Sequence, residues 1–157
     1  GIQVLHAAGR GKSVDVEAPA GVGTGGRGTR PPYVVVEYLD RMDLAYAAAD
    51  AVICRAGAGT VCELTALGIP AAYVPLPIGN GEQRRNVQPV VDAGGGLVVD
   101  DAACTPDWIA STLVPLLTDQ ARLARMGAAA ADFGIADGDE RLADLVRLAA
   151  ATPRGDR

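Results

Sequence analysis

Short apolar segments alternate with amphipathic segments along most of this 157-residue chain. Apolar runs between turn residues predict strands, and apolar positions spaced three and four residues apart predict helices. The strands are predicted at 3–7, 33–36, 51–54, 71–74 and 97–99, and the helices at about 42–49, 60–67, 83–92, 107–117, 121–133 and 140–150. This alternation predicts an α/β domain with a doubly wound parallel sheet, which binds ligands beyond the carboxyl ends of its strands.

The segment 51–86 contains the clearest candidate site. Gly57 and Gly59 follow a predicted strand and allow a sharp turn, after which Thr60 is predicted to cap a helix anchored by Leu64 and Leu67. A strand that enters a helix through glycines leaves backbone N–H groups and the positive end of the helix dipole directed at one point. The pattern therefore predicts a phosphate-binding turn.

Glu63 follows Thr60 by three residues, and this spacing has two interpretations. In the first, Thr60 and Glu63 form a capping box, and the carboxylate only satisfies the backbone N–H of Thr60. In the second, the carboxylate accepts hydrogen bonds from the two neighbouring hydroxyls of a ribose. Spacing alone favours the capping box, at roughly 3:2.

Composition and charge exclude several other classes. The net charge of −5 argues against nucleic-acid binding, and no apolar run reaches the ~20 residues of a membrane span. The three cysteines have no metal-site spacing, so reduced, buried thiols are expected and no metal is predicted. His6 is expected to be structural or to orient a loop. Asp100 and Asp101 are interpreted as a solvated turn and not as metal ligands.

Four motifs together resemble the donor half of the MurG family: CRAGAGTVCE, LGIPAAYVPLP, NGEQRRN and AGGGLVV. The resemblance covers about residue 32 to the last helix and is closest to the actinobacterial branch. It implies the C-terminal Rossmann-like domain of a GT-B glycosyltransferase. Members transfer N-acetylglucosamine from UDP-N-acetylglucosamine to undecaprenyl-pyrophosphoryl-N-acetylmuramyl-pentapeptide in peptidoglycan synthesis. The reaction implied is an inverting displacement without metal or other cofactor.

The resemblance also implies roles for individual residues. Ala58, Gly59 and Thr60 would hold the donor diphosphate, with Val61 and Cys62 beside them, and Glu63 would hold the ribose diol. The backbone of Leu39 would pair with the uracil edge. Either Glu82 or Gln83 would contact the sugar, and Asn86 would fix the loop. The residues implied for donor binding are therefore Leu39, Ala58, Gly59, Thr60, Val61, Cys62, Glu63, Glu82, Gln83 and Asn86.

The chain departs from the family pattern at its start. It begins with Gly1, and the first strand resembles the family's second donor-domain strand, so it reads as a partial domain. The family's first donor-domain strand and N-terminal domain carry a phosphate loop, the acceptor site, the catalytic base and the surface that contacts the inner face of the cell membrane. We therefore expect no catalytic residue in residues 1–157, and poor folding and no transferase activity from the chain alone. Residues 10–31, rich in Gly and Arg, are predicted to form a flexible loop.

Two other functions of the chain are considered besides that of a donor-binding half. One is a nucleotide-sugar binding module that works only with a separate acceptor subunit. The other is a dinucleotide-binding oxidoreductase domain, which is disfavoured because GAGT departs from G-x-G-x-x-G and the next strand ends without an acidic residue. A last open point is the apolar stripe of the final helix, formed by Leu142, Leu145, Val146 and Leu148. It packs either on its own domain or, as in two-domain transferases of this shape, on the other domain.

Overall fold

The computed structural model describes residues 1–14 and 33–151, in which strands and helices alternate. The strands are β1 (Val4–Ala7), β2 (Tyr33–Val36), β3 (Val52–Cys54), β4 (Ala71–Tyr73) and β5 (Gly96–Val98). The helices are α1 (Met42–Ala48), α2 (Ala58–Ala66), α3 (Glu82–Asp92), α4 (Pro106–Trp108), α5 (Val114–Thr118), α6 (Gln120–Phe133) and α7 (Gly138–Ala151). A short 3₁₀ turn spans Asp101–Ala103, and a π-helical turn, Ile109–Leu113, joins α4 to α5 where one continuous helix was predicted.

All strand pairs are parallel, as the alternating pattern predicted. β1 pairs with β2, and β4 lies between β3 and β5. Within the described residues neither β1 nor β2 is hydrogen-bonded to the three-stranded sheet, so the strands form two sheets. The family resemblance implies that the family's first donor-domain strand would lie between β1 and β3, and this placement stays a prediction.

The main core covers one face of the three-stranded sheet. β4 is buried at all three positions, which explains why its sequence is apolar throughout rather than alternating. Tyr73 on β4 is fully buried, and a Cβ at Gly96 on β5 would lie only 2.8 Å from its ring. Glycine at this position is thus what lets the Tyr73 ring pack closely against β5. The core consists of Ala56, Val61, Leu64, Ile69, Ala71, Tyr73, Val87 and Val90.

Helix α2 starts two residues earlier than predicted. Gly57 is the N-cap residue in extended conformation, and its carbonyl accepts the N–H of Val61 at 3.0 Å. Thr60 is consequently the third residue of the helix, so the prediction that it caps the helix is wrong. Small residues at 57–59 allow the chain to enter the helix directly, without a side-chain cap.

The end of α2 is a Schellman motif. Gly68 has φ +66°, its N–H bonds to the carbonyl of Thr65 at 3.0 Å, and the N–H of Ile69 bonds to Leu64 at 2.9 Å. Leu64 is fully buried as predicted, whereas Leu67 is 58% exposed. Leu67 is therefore wrong as an anchor, because it lies at the C-cap, where the chain turns away from the core.

Three further predictions concern the apolar stripe of α7, the cysteines and the loop at 10–31. The apolar stripe of α7 is largely exposed among the described residues, since its four members are 61–66% exposed. Cys62 is exposed, which contradicts the expectation of buried thiols, while Cys54 and Cys104 are half-buried. The flexible loop predicted at 10–31 lies mostly outside the described residues. No helix in ranges 1–14 and 33–151 is long and apolar enough to cross a membrane.

Candidate functional site

The loops that follow β3, β4 and β5 meet at one edge of the three-stranded sheet. The three strands are parallel and in register, so their carboxyl ends lie side by side. The segment 55–57 leads from β3 into α2, and residues 74–81 lead from β4 into α3. This edge is where an open parallel sheet binds its ligands.

Arg55 joins all three loops. Its Nη1 donates to the carbonyls of Val74 at 3.2 Å and Pro75 at 3.4 Å, and it forms an ion pair with Asp101 at 2.5 Å. Because half of the Arg55 side chain is exposed, the pair contributes little to stability, and its main effect is geometric. It fixes the loop before α2 relative to the loops after β4 and β5.

A second ion pair lies between α3 and the loop after β5, where Arg84 Nη1 is 2.6 Å from Asp100 Oδ1. Asp100 and Asp101 lie at an exposed 3₁₀ turn, as predicted, and each carboxylate is in addition paired with an arginine. Both arginines are already neutralised by these partners.

Gln83 and Asn86 on α3 hold the start of α2 in place. The amide oxygen of Gln83 accepts the N–H groups of Ala56 at 3.1 Å and Leu76 at 3.0 Å. Asn86 Nδ2 donates to the carbonyl of Ala56 at 3.1 Å, which is the loop-fixing contact expected of it. Since both acceptor positions of the Gln83 oxygen are occupied, its NH₂ group is what remains to contact a ligand.

The N-terminus of α2 presents a row of backbone donors. Ala58, Gly59 and Thr60 are the first three helical residues, so their N–H groups have no carbonyl partner within the helix. Ala58 and Gly59 are exposed, and a Cβ at Gly59 would meet no atom within 4 Å. The unpartnered N–H groups and the open space around Gly59, together with the helix dipole, give a site of the type that binds phosphate.

The next two residues of α2 differ in what they can offer a ligand. Val61 is buried in the core, and its N–H and carbonyl bond to Gly57 and Thr65 respectively. Val61 therefore anchors the N-terminus of α2 to the core. Cys62 is exposed on the helix surface.

Glu63 lies one turn beyond these donors and bonds to a residue that the sequence did not indicate. The hydroxyl of Tyr46 on α1 donates to Glu63 Oε2 at 2.8 Å. Burial, and to a lesser extent this hydrogen bond, raises the pKa of Tyr46 to about 12. The capping-box interpretation is wrong, because Thr60 is not the N-cap residue and the carboxylate bonds to Tyr46 instead. An exposed carboxylate with free lone pairs remains.

The other predicted residues lie around this centre. Glu82 is the exposed first residue of α3, and its N–H bonds to Asn80 Oδ1 at 3.2 Å. Leu39 lies in the loop between β2 and α1, and no hydrogen bond among the described residues joins it to α2 or α3. His6 is placed elsewhere, with Nδ1 2.9 Å from the hydroxyl of Tyr33. In ranges 1–14 and 33–151 no three His, Cys, Asp or Glu residues form a group suited to a metal.

The fold and this edge define a parallel α/β domain with an open helix N-terminus at the carboxyl edge of its sheet. A family model described as the glycosyltransferase family 28 C-terminal domain matches residues 1–142. The chain therefore belongs to this family of glycosyltransferase domains. This result confirms the family and the fold class predicted from the four motifs.

Two curated relatives show how much of a longer protein the chain resembles. It is 57% identical over 155 residues to the UDP-N-acetylglucosamine--N-acetylmuramyl-(pentapeptide) pyrophosphoryl-undecaprenol N-acetylglucosamine transferase of Streptomyces collinus, covering 98% of this chain and 41% of that protein. It is 55% identical over 161 residues to the protein of the same name from a Mycobacterium species, strain JLS, covering 100% of this chain and 41% of the relative. The chain thus spans about two fifths of these relatives.

Solved structures give the same result for the fold. Acinetobacter baumannii MurG matches with a TM-score of 0.69 and 30% identity over 74% of this chain and 34% of that chain. The glycotransferase of kitacinnamycin matches with a TM-score of 0.59 and 23% identity over 92% of this chain and 34% of the other, and this match shows the fold alone.

Proposed function

We propose that this chain is the UDP-N-acetylglucosamine binding half of the enzyme that transfers N-acetylglucosamine to undecaprenyl-pyrophosphoryl-N-acetylmuramyl-pentapeptide. The observation that carries the proposal is the pairing of an open helix N-terminus with an exposed carboxylate one turn away. A nucleoside diphosphate has complementary groups at a similar spacing, namely an anionic diphosphate and a ribose diol. The names of the curated relatives supply the nucleotide and the sugar.

Donor binding in this proposal follows the chemistry of each group. The N–H groups of Ala58, Gly59 and Thr60 bind the diphosphate, and Glu63 accepts hydrogen bonds from the ribose hydroxyls. The backbone of Leu39 pairs with the base. Gln83 offers its NH₂ group to the sugar, while Glu82 offers an exposed carboxylate, so both stay candidates for the sugar contact.

The transfer step uses the same helix terminus. The 4-hydroxyl of the acceptor sugar gives its proton to the catalytic base and attacks the anomeric carbon. The bond from that carbon to the diphosphate oxygen breaks, and UDP leaves with the bonding electrons. The anomeric configuration is inverted. Negative charge grows on the diphosphate as this bond breaks, and the fixed N–H groups of α2 stabilise that charge without reorganisation.

The acceptor site, the catalytic base and the membrane contact belong, in this proposal, to the part of the curated relatives that the chain does not match. The reaction then takes place at the cytoplasmic face of the cell membrane, where the lipid-linked acceptor is held. Its product feeds peptidoglycan synthesis, and through it cell shape and division.

Replacing Glu63 by Ala tests the proposal in the complete gene product that carries this chain. Loss of hydrogen bonds to a charged acceptor is expected to weaken UDP binding by about 1.5–3 kcal/mol, measured by isothermal titration calorimetry. The free energy of unfolding is expected to change by less than about 1 kcal/mol, because Glu63 does not serve as a cap.

The matched control is Glu140→Ala, which removes an exposed carboxylate from the first turn of α7. It is expected to leave UDP affinity unchanged. A Glu63→Ala variant that lost stability and bound UDP normally would contradict the proposed ribose contact.

A further inference from the structure

Glu63 is held by a tyrosine that comes from a different helix. Tyr46 is the fifth of the seven residues of α1, and its hydroxyl lies 2.8 Å from Glu63 Oε2. The ring is half-buried and packs against the main core of the three-stranded sheet, which leaves only its polar end directed at the carboxylate. A rigid, core-anchored donor therefore fixes a flexible, exposed acceptor.

The bond leaves the carboxylate able to bind a diol. An ionised carboxylate has about four lone-pair positions on its two oxygens, and the hydroxyl of Tyr46 occupies one of them at Oε2. An unrestrained glutamate would have to give up side-chain freedom when a ligand binds. A glutamate that is already fixed avoids that cost, so its contribution to affinity is larger.

The proton of Tyr46 stays in place under ordinary conditions. Burial and the neighbouring Glu63 raise the pKa of Tyr46 to about 12. The hydroxyl is therefore a donor throughout the neutral pH range, and Glu63 is left to act only as an acceptor toward the ligand.

We propose that Tyr46 is a positioning residue that holds the Glu63 carboxylate ready for the ribose hydroxyls of the donor. The inference rests on the proposed function, since it needs a ribose at Glu63. It adds that α1, on the chain between Leu39 and β3, determines how well the site distinguishes ribose from deoxyribose.

The test compares UDP with 2′-deoxy-UDP, which lacks one hydroxyl of the diol. Both dissociation constants are measured by calorimetry on the complete gene product for wild type, Tyr46→Phe and Glu63→Gln. We expect wild type to prefer UDP, Glu63→Gln to lose most of that preference, and Tyr46→Phe to reduce it about threefold to tenfold, as loss of a fixed side chain implies. The preference is a ratio measured on one preparation, so a fraction of inactive protein does not affect it.

Tyr33→Phe is the matched control, because it removes a tyrosine hydroxyl that bonds at 2.9 Å to His6 and not to Glu63. It is expected to keep the wild-type ratio. If Tyr46→Phe fails to fold, Tyr46→Met provides a second variant without the donor, with the same expected loss. An unchanged ratio in a folded Tyr46 variant overturns the positioning role while the proposed function stands. An unchanged ratio in Glu63→Gln overturns the ribose contact itself, and the positioning role with it.

Discussion

The two sheets of this domain differ in how much of their apolar surface the described residues cover. Around β3, β4 and β5 the core residues Leu64, Tyr73 and Val87 are fully buried, and polar side chains link the loops at the strand ends. In the pair formed by β1 and β2, by contrast, every residue is at least partly exposed, and Leu5 is 50% exposed. Both regions have similar apolar sequences.

The difference shows that an apolar strand is buried only when other elements pack on it. Helices α2 and α3 supply that cover for the three-stranded sheet. The site is built on this packed region, where a fixed backbone holds the donors of α2 in position. The loop containing Leu39 follows β2 and so belongs to the less covered region. Helix α1, which follows this loop, contacts the site through the hydrogen bond from Tyr46 to Glu63.

The largest expected effect comes from truncating the core of the packed region. Leu64→Ala should lower the free energy of unfolding by about 2–5 kcal/mol, because it leaves a cavity beneath α2. The matched variant Leu5→Ala in β1 should change it by no more than about 0.5 kcal/mol, as expected for a half-exposed side chain. Urea unfolding of the complete gene product that carries this chain, followed by circular dichroism, measures both. Equal losses would show that β1 is as well covered as the core.

A second comparison uses two glycines with opposite surroundings. Gly96→Ala should cost about 1–3 kcal/mol, because the added Cβ would lie 2.8 Å from the Tyr73 ring and 3.0 Å from the carbonyl of Ala71. Gly59→Ala adds a Cβ in open space within a helix and should stabilise the chain by up to about 1 kcal/mol. Thermal unfolding gives the two signs, and a stable Gly96→Ala variant would mean that β4 and β5 are less tightly packed than described.

A smaller effect is expected at the Tyr73 hydroxyl, which is buried and has no hydrogen-bond partner among the described residues. Tyr73→Phe should stabilise the chain by about 1 kcal/mol at pH 7, because it removes an unpaired donor. Burial raises the pKa of Tyr73 from 10.0 to about 12, so the folded state favours the protonated hydroxyl. Relative to its ionised form, the protonated hydroxyl favours the folded state, and this contribution to the free energy of unfolding is complete below pH 10. It is lost as the pH rises toward 12.

Urea unfolding at several alkaline pH values tests this prediction. Wild type should lose more stability than Tyr73→Phe over that range. Tyr33→Phe in β2, which loses a bond to His6 instead, should not gain stability at pH 7. A Tyr73→Phe variant that is less stable than wild type at pH 7 would show that the hydroxyl has a partner.

Local patterns predicted most of the elements, whereas most contacts between distant elements were not predictable. The strands were placed to within about one residue, because apolar runs between turn residues have few alternatives. The predicted start of α2 was wrong. Thr60 is a residue type that often caps helices, but the observed N-cap residue is Gly57, which has the extended conformation of a cap. The bond from Tyr46 to Glu63 joins residues 17 positions apart and depends on how α1 packs.

The ion pair between Arg55 and Asp101 had a signal in the sequence. Arg55 directly follows β3, and Asp100 and Asp101 closely follow β5. Parallel strands end at the same edge, so opposite charges just beyond two of them could have been paired in advance. The apolar stripe of α7 shows the limit of this approach, because helical spacing indicates an apolar face but not what packs on it.

Calorimetric titration of the complete gene product with UDP, and separately with NAD, tests the central claim most directly. The proposed site predicts saturable binding of UDP with one site per chain, and no measurable binding of NAD at the same concentrations. The sequence departs from the dinucleotide pattern, and the exposed carboxylate lies on α2 and not at the end of the following strand. Binding of NAD as tight as that of UDP, or no binding of UDP at all, would contradict the assignment.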